Sequence, residues 1–186
     1  MIGIRLGRPG DAVGIAAVHV AAWRSAYPGI LPEGYLARLS VPRQAGCYEA
    51  MLRMGEGVLV ATASGTDVPA GERPRIVGFA TADIPRTARP RLADGEIHTL
   101  YVSDDWRERG IGRRLMRSAA GYLAEDGARS AYLWVLSDNP SRWFYERLGG
   151  RPVARSEIRV AGRTLMQTAF VWDPIEKLLT ERTSAA

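Results

Sequence analysis

The run from Leu100 through Arg107-Glu108-Arg109-Gly110-Ile111-Gly112 to Leu115 constrains this chain more than any other. A strand pattern over residues 96–102 leads into a turn, two glycines sit in that turn, and a helical pattern follows from about Gly110 to Asp126. The first amides of a helix lack intrahelical acceptors and carry the positive end of the helix dipole, so the junction suits a pyrophosphate. Glycine lets the backbone approach the anion, and the nearby arginines add charge-assisted donors. Two other phosphate loops are excluded. No Gly-Lys-Ser/Thr closes the turn, and Leu115 stands where a dinucleotide fingerprint has its third glycine.

Strands and helices alternate around this junction. Ile2–Leu6 reads as a strand, followed by a helix with Pro9 and Asp11 in its first turn. Ala16, Val20, Trp23 and Tyr27 share one face of that helix, and Pro28-Gly29 ends it. Short helices are expected at 32–39 and 42–54, and strands at 58–63 and 75–80 with irregular stretches at 64–74 and 83–94. The apolar run at 131–136 reads as a strand buried on both faces, and 139–148 as a helix stopped by Gly149-Gly150. Strands 155–160 and 165–172 flank Ala161-Gly162-Arg163, read as a three-residue hairpin turn. Without repeats or a composition break, the expectation is one α/β domain over residues 1–174 and a C-terminal tail over 175–186 with a helical turn.

Composition narrows the function classes. With 46% hydrophobic and 24% charged residues the chain is that of a soluble globular protein. No apolar run is long enough to span a bilayer, and residues 1–5 do not open like a signal peptide, so no membrane partner and a cytoplasmic setting are expected. The single Cys47 excludes an internal disulfide and a cysteine-rich metal site, and reads as a buried helical thiol. The net charge of +5 raises nucleic-acid binding, but the basic residues are spread from Arg5 to Arg182. All but Lys177 are arginine, and no single basic tract forms, which disfavours that reading.

Arg107-x-x-Gly110-x-Gly112 matches the Q/R-x-x-G-x-G/A motif of the GNAT superfamily of N-acetyltransferases, and the chain resembles that family on both sides of it. Upstream, Glu96-Ile97-His98-Thr99-Leu100-Tyr101-Val102 resembles the family's bulged fourth strand. Downstream, Asn139-Pro140-Ser141-Arg142-Trp143-Phe144-Tyr145 resembles its N-x-x-A-x-x-F-Y segment, one residue shorter. Glu108 stands where many members have glycine. The resemblance implies a three-layer fold with a mixed sheet of about seven strands, a splayed fourth and fifth strand pair, and helices on both faces. It also implies acetyl-coenzyme A as acetyl donor without a metal. Leu100, Tyr101 and Val102 would meet its pantetheine, Arg107, Arg109, Gly110, Ile111, Gly112 and Arg113 its diphosphate, and Asn139 and Tyr145 the same ligand from the other side.

Acetyl transfer to an amine makes three demands. An amine with a pKa near ~10.4 must lose a proton before it attacks. Glu96 and His98, two apart on one strand, face the same side, and members of the family carry their proposed base at these positions. Glu96 is the favoured base, directly or through water, with His98 as relay or alternative. A backbone amide of the bulged strand can meet the developing oxyanion. Tyr145 is the candidate acid for the departing sulfur, and Trp23 and Tyr27 are candidates for the wall of the acceptor cleft. The acceptor stays open between polyamine, aminoglycoside, amino acid, protein N-terminus and lysine. A non-catalytic acyl-CoA-binding or partner-binding module on the same fold is the alternative to an enzyme. A homodimer through an edge at residues 165–172 is also considered.

Overall fold

In a computed structural model of the 186-residue chain, residues 1–67, 74–85 and 92–180 are described. Strand β1 (Ile2–Leu6) precedes α1 (Ala12–Ala26), α2 (Glu33–Ala37) and α3 (Val41–Arg53). Strands β2 (Gly57–Ala63), β3 (Arg75–Asp83) and β4 (Gly95–Val102) lead into α4 (Ile111–Glu125). Then come β5 (Ala131–Leu136), α5 (Arg142–Arg147), β6 (Arg151–Val160), β7 (Arg163–Trp172) and α6 (Glu176–Leu179). The sheet runs β1-β2-β3-β4-β5-β7-β6, antiparallel except for the parallel β4–β5 pair, which confirms the seven-stranded mixed sheet.

Each face of the sheet buries its own helices. On one face α4 presents Ile111, Leu115, Met116, Ala119, Ala120 and Leu123 to Leu59, Ala61 and Ile97. These are the i, i+4, i+5, i+8, i+9 and i+12 positions of an amphipathic helix. On the other, Ile15, Ala16 and Val18 of α1 pack with Tyr48 on Val58, Val60 and Phe79. Arg5 and Asp11 form a two-pronged ion pair at 2.6 and 2.9 Å that joins β1 to the start of α1. After β7, Ile175 and Leu178 are buried at 2% and 6% exposure, so the chain returns to pack α6 in the core cluster of α4.

The important departure from regularity lies between β4 and β5. Their starts are clamped: Asp94 accepts the amides of Arg129 and Ser130 at 2.9 and 3.2 Å, and Gly95 donates to the Ser130 carbonyl. Gly95 is required there, since a Cβ would lie 2.8 Å from the Leu123 side chain of α4. The strands pair only at Gly95–Ala131 and Glu96–Tyr132. Beyond that β5 continues along β7, and β4 from Ile97 to Val102 has no strand partner on that side among the described residues.

Three expectations are corrected. Val160 pairs with Arg163, so the last hairpin closes on two residues, Ala161 and Gly162, both with positive φ (51° and 81°), as a primed turn needs. Residues 165–172 are not an edge, because β7 is bonded to β5 and β6; the edge strands are β6 on that side and β1 on the other. Cys47 is exposed rather than buried, since α3 turns it away from the face that buries Tyr48.

Candidate active site

The unpaired half of β4 opens into a cavity of about 780 Å³ that passes through the sheet. Ala22 and Ala26 of α1 line it on one face; Ile111, Gly112 and Arg113 of α4 and Phe144 and Tyr145 of α5 line it on the other, with Leu100, Tyr101 and Val102 between. Arg107, Glu108 and Gly110 complete the wall. Of the residues expected to hold the cofactor, Arg109 and Asn139 do not line it. The Arg109 guanidinium lies 4.8 Å over the ring of Trp106, which does.

The turn has the geometry an anion needs. Gly110 is the N-cap of α4 at φ 72°, and the first amides of the helix face no intrahelical acceptor. Arg107 is held by Asp104 at 2.8 Å. Glu108 occupies φ 60°, a left-handed conformation that costs a residue with a Cβ roughly 1–2 kcal/mol and that glycine adopts freely. A Cβ on Gly112 would stand 3.3 Å from Phe144, so α4 and α5 meet closely at the cavity wall. An open cavity, a glycine turn and cations on its rim together fit a diphosphate.

Tyr145 is 7% exposed and packed against Phe144, Phe170 and Trp172. Burial, reinforced by Tyr27, holds its pKa well above the usual 10. The phenol therefore stays protonated.

Beside the cavity, α1 and β4 are tied by a polar network. Trp23 Nε1 donates to the Tyr101 hydroxyl at 2.9 Å. Asn139 accepts the Ser141 amide on Oδ1 at 2.9 Å, which leaves its Nδ2 to donate to the Tyr27 hydroxyl at 3.4 Å. Trp23 and Tyr27 thus stand behind the wall formed by Ala22 and Ala26. The Asn139 bond to Ser141 also explains why α5 begins at Arg142 and not at Asn139: the side chain takes an amide and forms a local turn.

Glu96 and His98 do meet, but outside the cavity wall. His98 is the extra residue of a bulge, since Thr99 pairs with Thr81 and Ile97 with Ala82. Its Nδ1 lies 3.4 Å from Glu96 and its Nε2 2.8 Å from Asp83. Hydrogen bonding to Glu96, offset by burial and helped by Asp83, raises His98 to about 9, so it is a cation at neutral pH. For Glu96, burial pushes upward, but bonds from His98 and from the Tyr132 hydroxyl at 2.5 Å outweigh it and hold the carboxyl low.

Several wall residues were not foreseen from the sequence: Trp106, Ala22, Ala26, Pro140, Ser141, Phe144, Arg147 and Leu148. The spacing of Ala22 and Ala26, four apart on the helix, was the available signal. Nothing local marks the others. No group of three or more metal-ligating side chains converges among the described residues, and no helix there is long and apolar enough to cross a membrane.

The seven-stranded sheet with its splayed β4–β5 pair is an acetyltransferase fold, and comparison with known proteins agrees on the fold. Residues 21–150 match the acetyltransferase (GNAT) family, to which the chain belongs. It is 29% identical over 180 residues to the uncharacterized N-acetyltransferase YuaI of Bacillus subtilis, covering 97% of this chain and 98% of that one. Among solved structures, NAA60 of Arabidopsis thaliana in complex with a bisubstrate analogue superposes with a TM-score of 0.67 at 20% identity (92% of this chain, 97% of that one). The PaiA N-acetyltransferase of Thermoplasma acidophilum in complex with coenzyme A gives 0.61 at 18% identity (90% and 98%).

Proposed function

We propose that this protein moves the acetyl group of acetyl-coenzyme A onto a primary amine of a small molecule or peptide, by direct attack within one ternary complex. One observation carries the reading: a single cavity joins the anion-ready turn, the unpaired edge of β4 and the hydroxyl of Tyr145. That the PaiA neighbour holds coenzyme A supports the choice of donor. The donor supplies an acyl group activated on sulfur. Amides at the start of α4, with Arg107 and Arg113, would hold its diphosphate, and backbone groups of Leu100 and Val102 its pantetheine. An amide on this free edge would stabilise the charge that develops on the acyl oxygen.

The amine's proton goes to the neutral form of His98, a minor fraction at neutral pH that grows as pH rises toward about 9. A group at about 9 is closely matched to an alkylammonium near ~10, whereas Glu96 is held low and has both oxygens engaged. Glu96 and Asp83 then set the basicity of His98, the reverse of the order expected from the sequence. His98 stands two residues, about 7 Å, along the strand from Leu100, so the proton crosses through water. As nitrogen bonds to carbon and sulfur leaves, Tyr145 donates a hydrogen bond to the sulfur. A buried phenol is a weaker acid than a thiol near ~8.5, so it shares its proton without surrendering it.

The test is release of free thiol from acetyl-coenzyme A across a panel of primary amines: polyamines, aminoglycosides, amino acids and peptides with free N-termini. Amine-dependent release, slowed in Tyr145→Phe, is expected. Binding of coenzyme A with no release for any amine would instead favour a non-catalytic acyl-CoA-binding module.

A further inference from the structure

Beyond the diphosphate turn the cavity continues into a second, shallow pocket. It shares Arg113, Arg147 and Leu148 with the main cavity but includes none of the β4 or α1 residues, so it lies on the far side of the turn from the thioester end. Its floor is apolar and fixed: Met116 of α4, Leu148 and Leu178 of α6 are all buried. Its rim is cationic. Arg113 comes from the first turn of α4, Arg147 from the last turn of α5 and Lys177 from α6.

None of these three cations pairs with a carboxylate among the described residues, unlike Arg5, Arg53 and Arg107. Lys177 donates to the Asp173 backbone carbonyl at 2.5 Å, and the acidic neighbours Glu146 and Glu176 do not line the pocket. Lys177 is also the only lysine of the chain, and burial of Ile175 and Leu178 on either side of it anchors its helix.

We infer that Arg147 and Lys177 form a subsite for the ribose 3′-phosphate of coenzyme A, so that the protein distinguishes coenzyme A from its dephosphorylated form. The inference rests on the coenzyme reading above. A coenzyme lying with pantetheine on β4 and diphosphate at Gly110 carries its remaining charge, a phosphate monoester near −2, past the turn toward this pocket. Both cations stand exposed at the rim of the apolar floor, and they meet a ligand group remote from the reacting bond. Such contacts act equally before and during the reaction, so they lower KM and leave kcat unchanged.

Calorimetric titration of coenzyme A and of dephospho-coenzyme A into the wild type and into an Arg147→Ala/Lys177→Ala variant tests this directly. The wild type is expected to bind coenzyme A about tenfold more tightly than the dephospho form. In the double variant the two affinities should agree to within about twofold, with affinity for the dephospho form retained. Arg107→Ala should weaken both ligands and keep their ratio. Should the double variant fail to fold, Lys177→Gln alone must reduce the ratio. Equal binding of both ligands to the wild type, or a preference that survives in the variant, overturns the subsite alone. Binding of neither overturns the coenzyme reading and the subsite with it.

Discussion

The two ends of β4 are built in opposite ways. At Glu96 and His98 the charged side chains answer one another: the imidazole bridges two carboxylates, and the second oxygen of Glu96 takes the Tyr132 hydroxyl. At Leu100–Val102 the strand edge is open, and the cavity beside it is lined by Tyr145 and by a helix start without acceptors. The closed end sets an ionisation state and lies outside the cavity wall. The open end supplies room and unsatisfied donors. What separates them is the Asp94 clamp at one end of the β4–β5 pair and its absence at the other.

The contrast can be broken most sharply at Tyr145. Tyr145→Phe removes the phenol proton proposed for the sulfur, and kcat for thiol release should fall about 10²- to 10³-fold with little change in KM for the donor. A rate within a factor of two of wild type would remove the hydroxyl from the mechanism.

The closed end is read through pH. If His98 takes the amine proton, kcat/KM climbs with pH toward about 9. Glu96→Gln removes the largest cause of that shift and should move the rising limb down toward ~6.5. A limb that stays in place while the rate falls would return the base role to Glu96. The same shift has a stability consequence. A histidine raised on folding contributes fully below ~6.5, and the contribution is lost as pH rises from there through about 9. Discounted for solvent screening at this half-exposed position, it is on the order of 1 kcal/mol, or about 2–4 °C in Tm. Wild type should lose that margin relative to His98→Gln across this window.

A smaller effect is expected at the turn. Gly110→Ala forces a Cβ into the left-handed region and should cost about 1 kcal/mol while weakening coenzyme binding. Smallest of all, Cys47→Ser touches neither end of β4; stability should stay within about 0.5 kcal/mol and activity unchanged, as an exposed thiol implies.

Much of this was legible in the chain where the signal is local. Helical spacing located α1, proline and glycine breaks located α3, and the spacing of Arg107, Gly110 and Gly112 located the turn and with it the start of α4. The start of α5 was not, because an Asn139 side chain competed for the amide that a helix would have used. The order β5-β7-β6 was not either, since alternation along a strand reports its two faces and is silent about its neighbours.

By itself, then, the sequence determined a strand, a glycine turn and a helix that present amides to an anion, because dihedral preference and helix-end polarity act within a few residues. Only the tertiary structure brought Asp83 from another strand, across a bulge, to His98, where it adds to the larger effect of neighbouring Glu96 in holding the imidazole cationic. It also decided that Arg147 and Lys177 share one pocket, because buried Leu178 brings α6 back beside α4 and α5. Charge interactions depend on distance through space, and distance through space is what the chain acquires by folding.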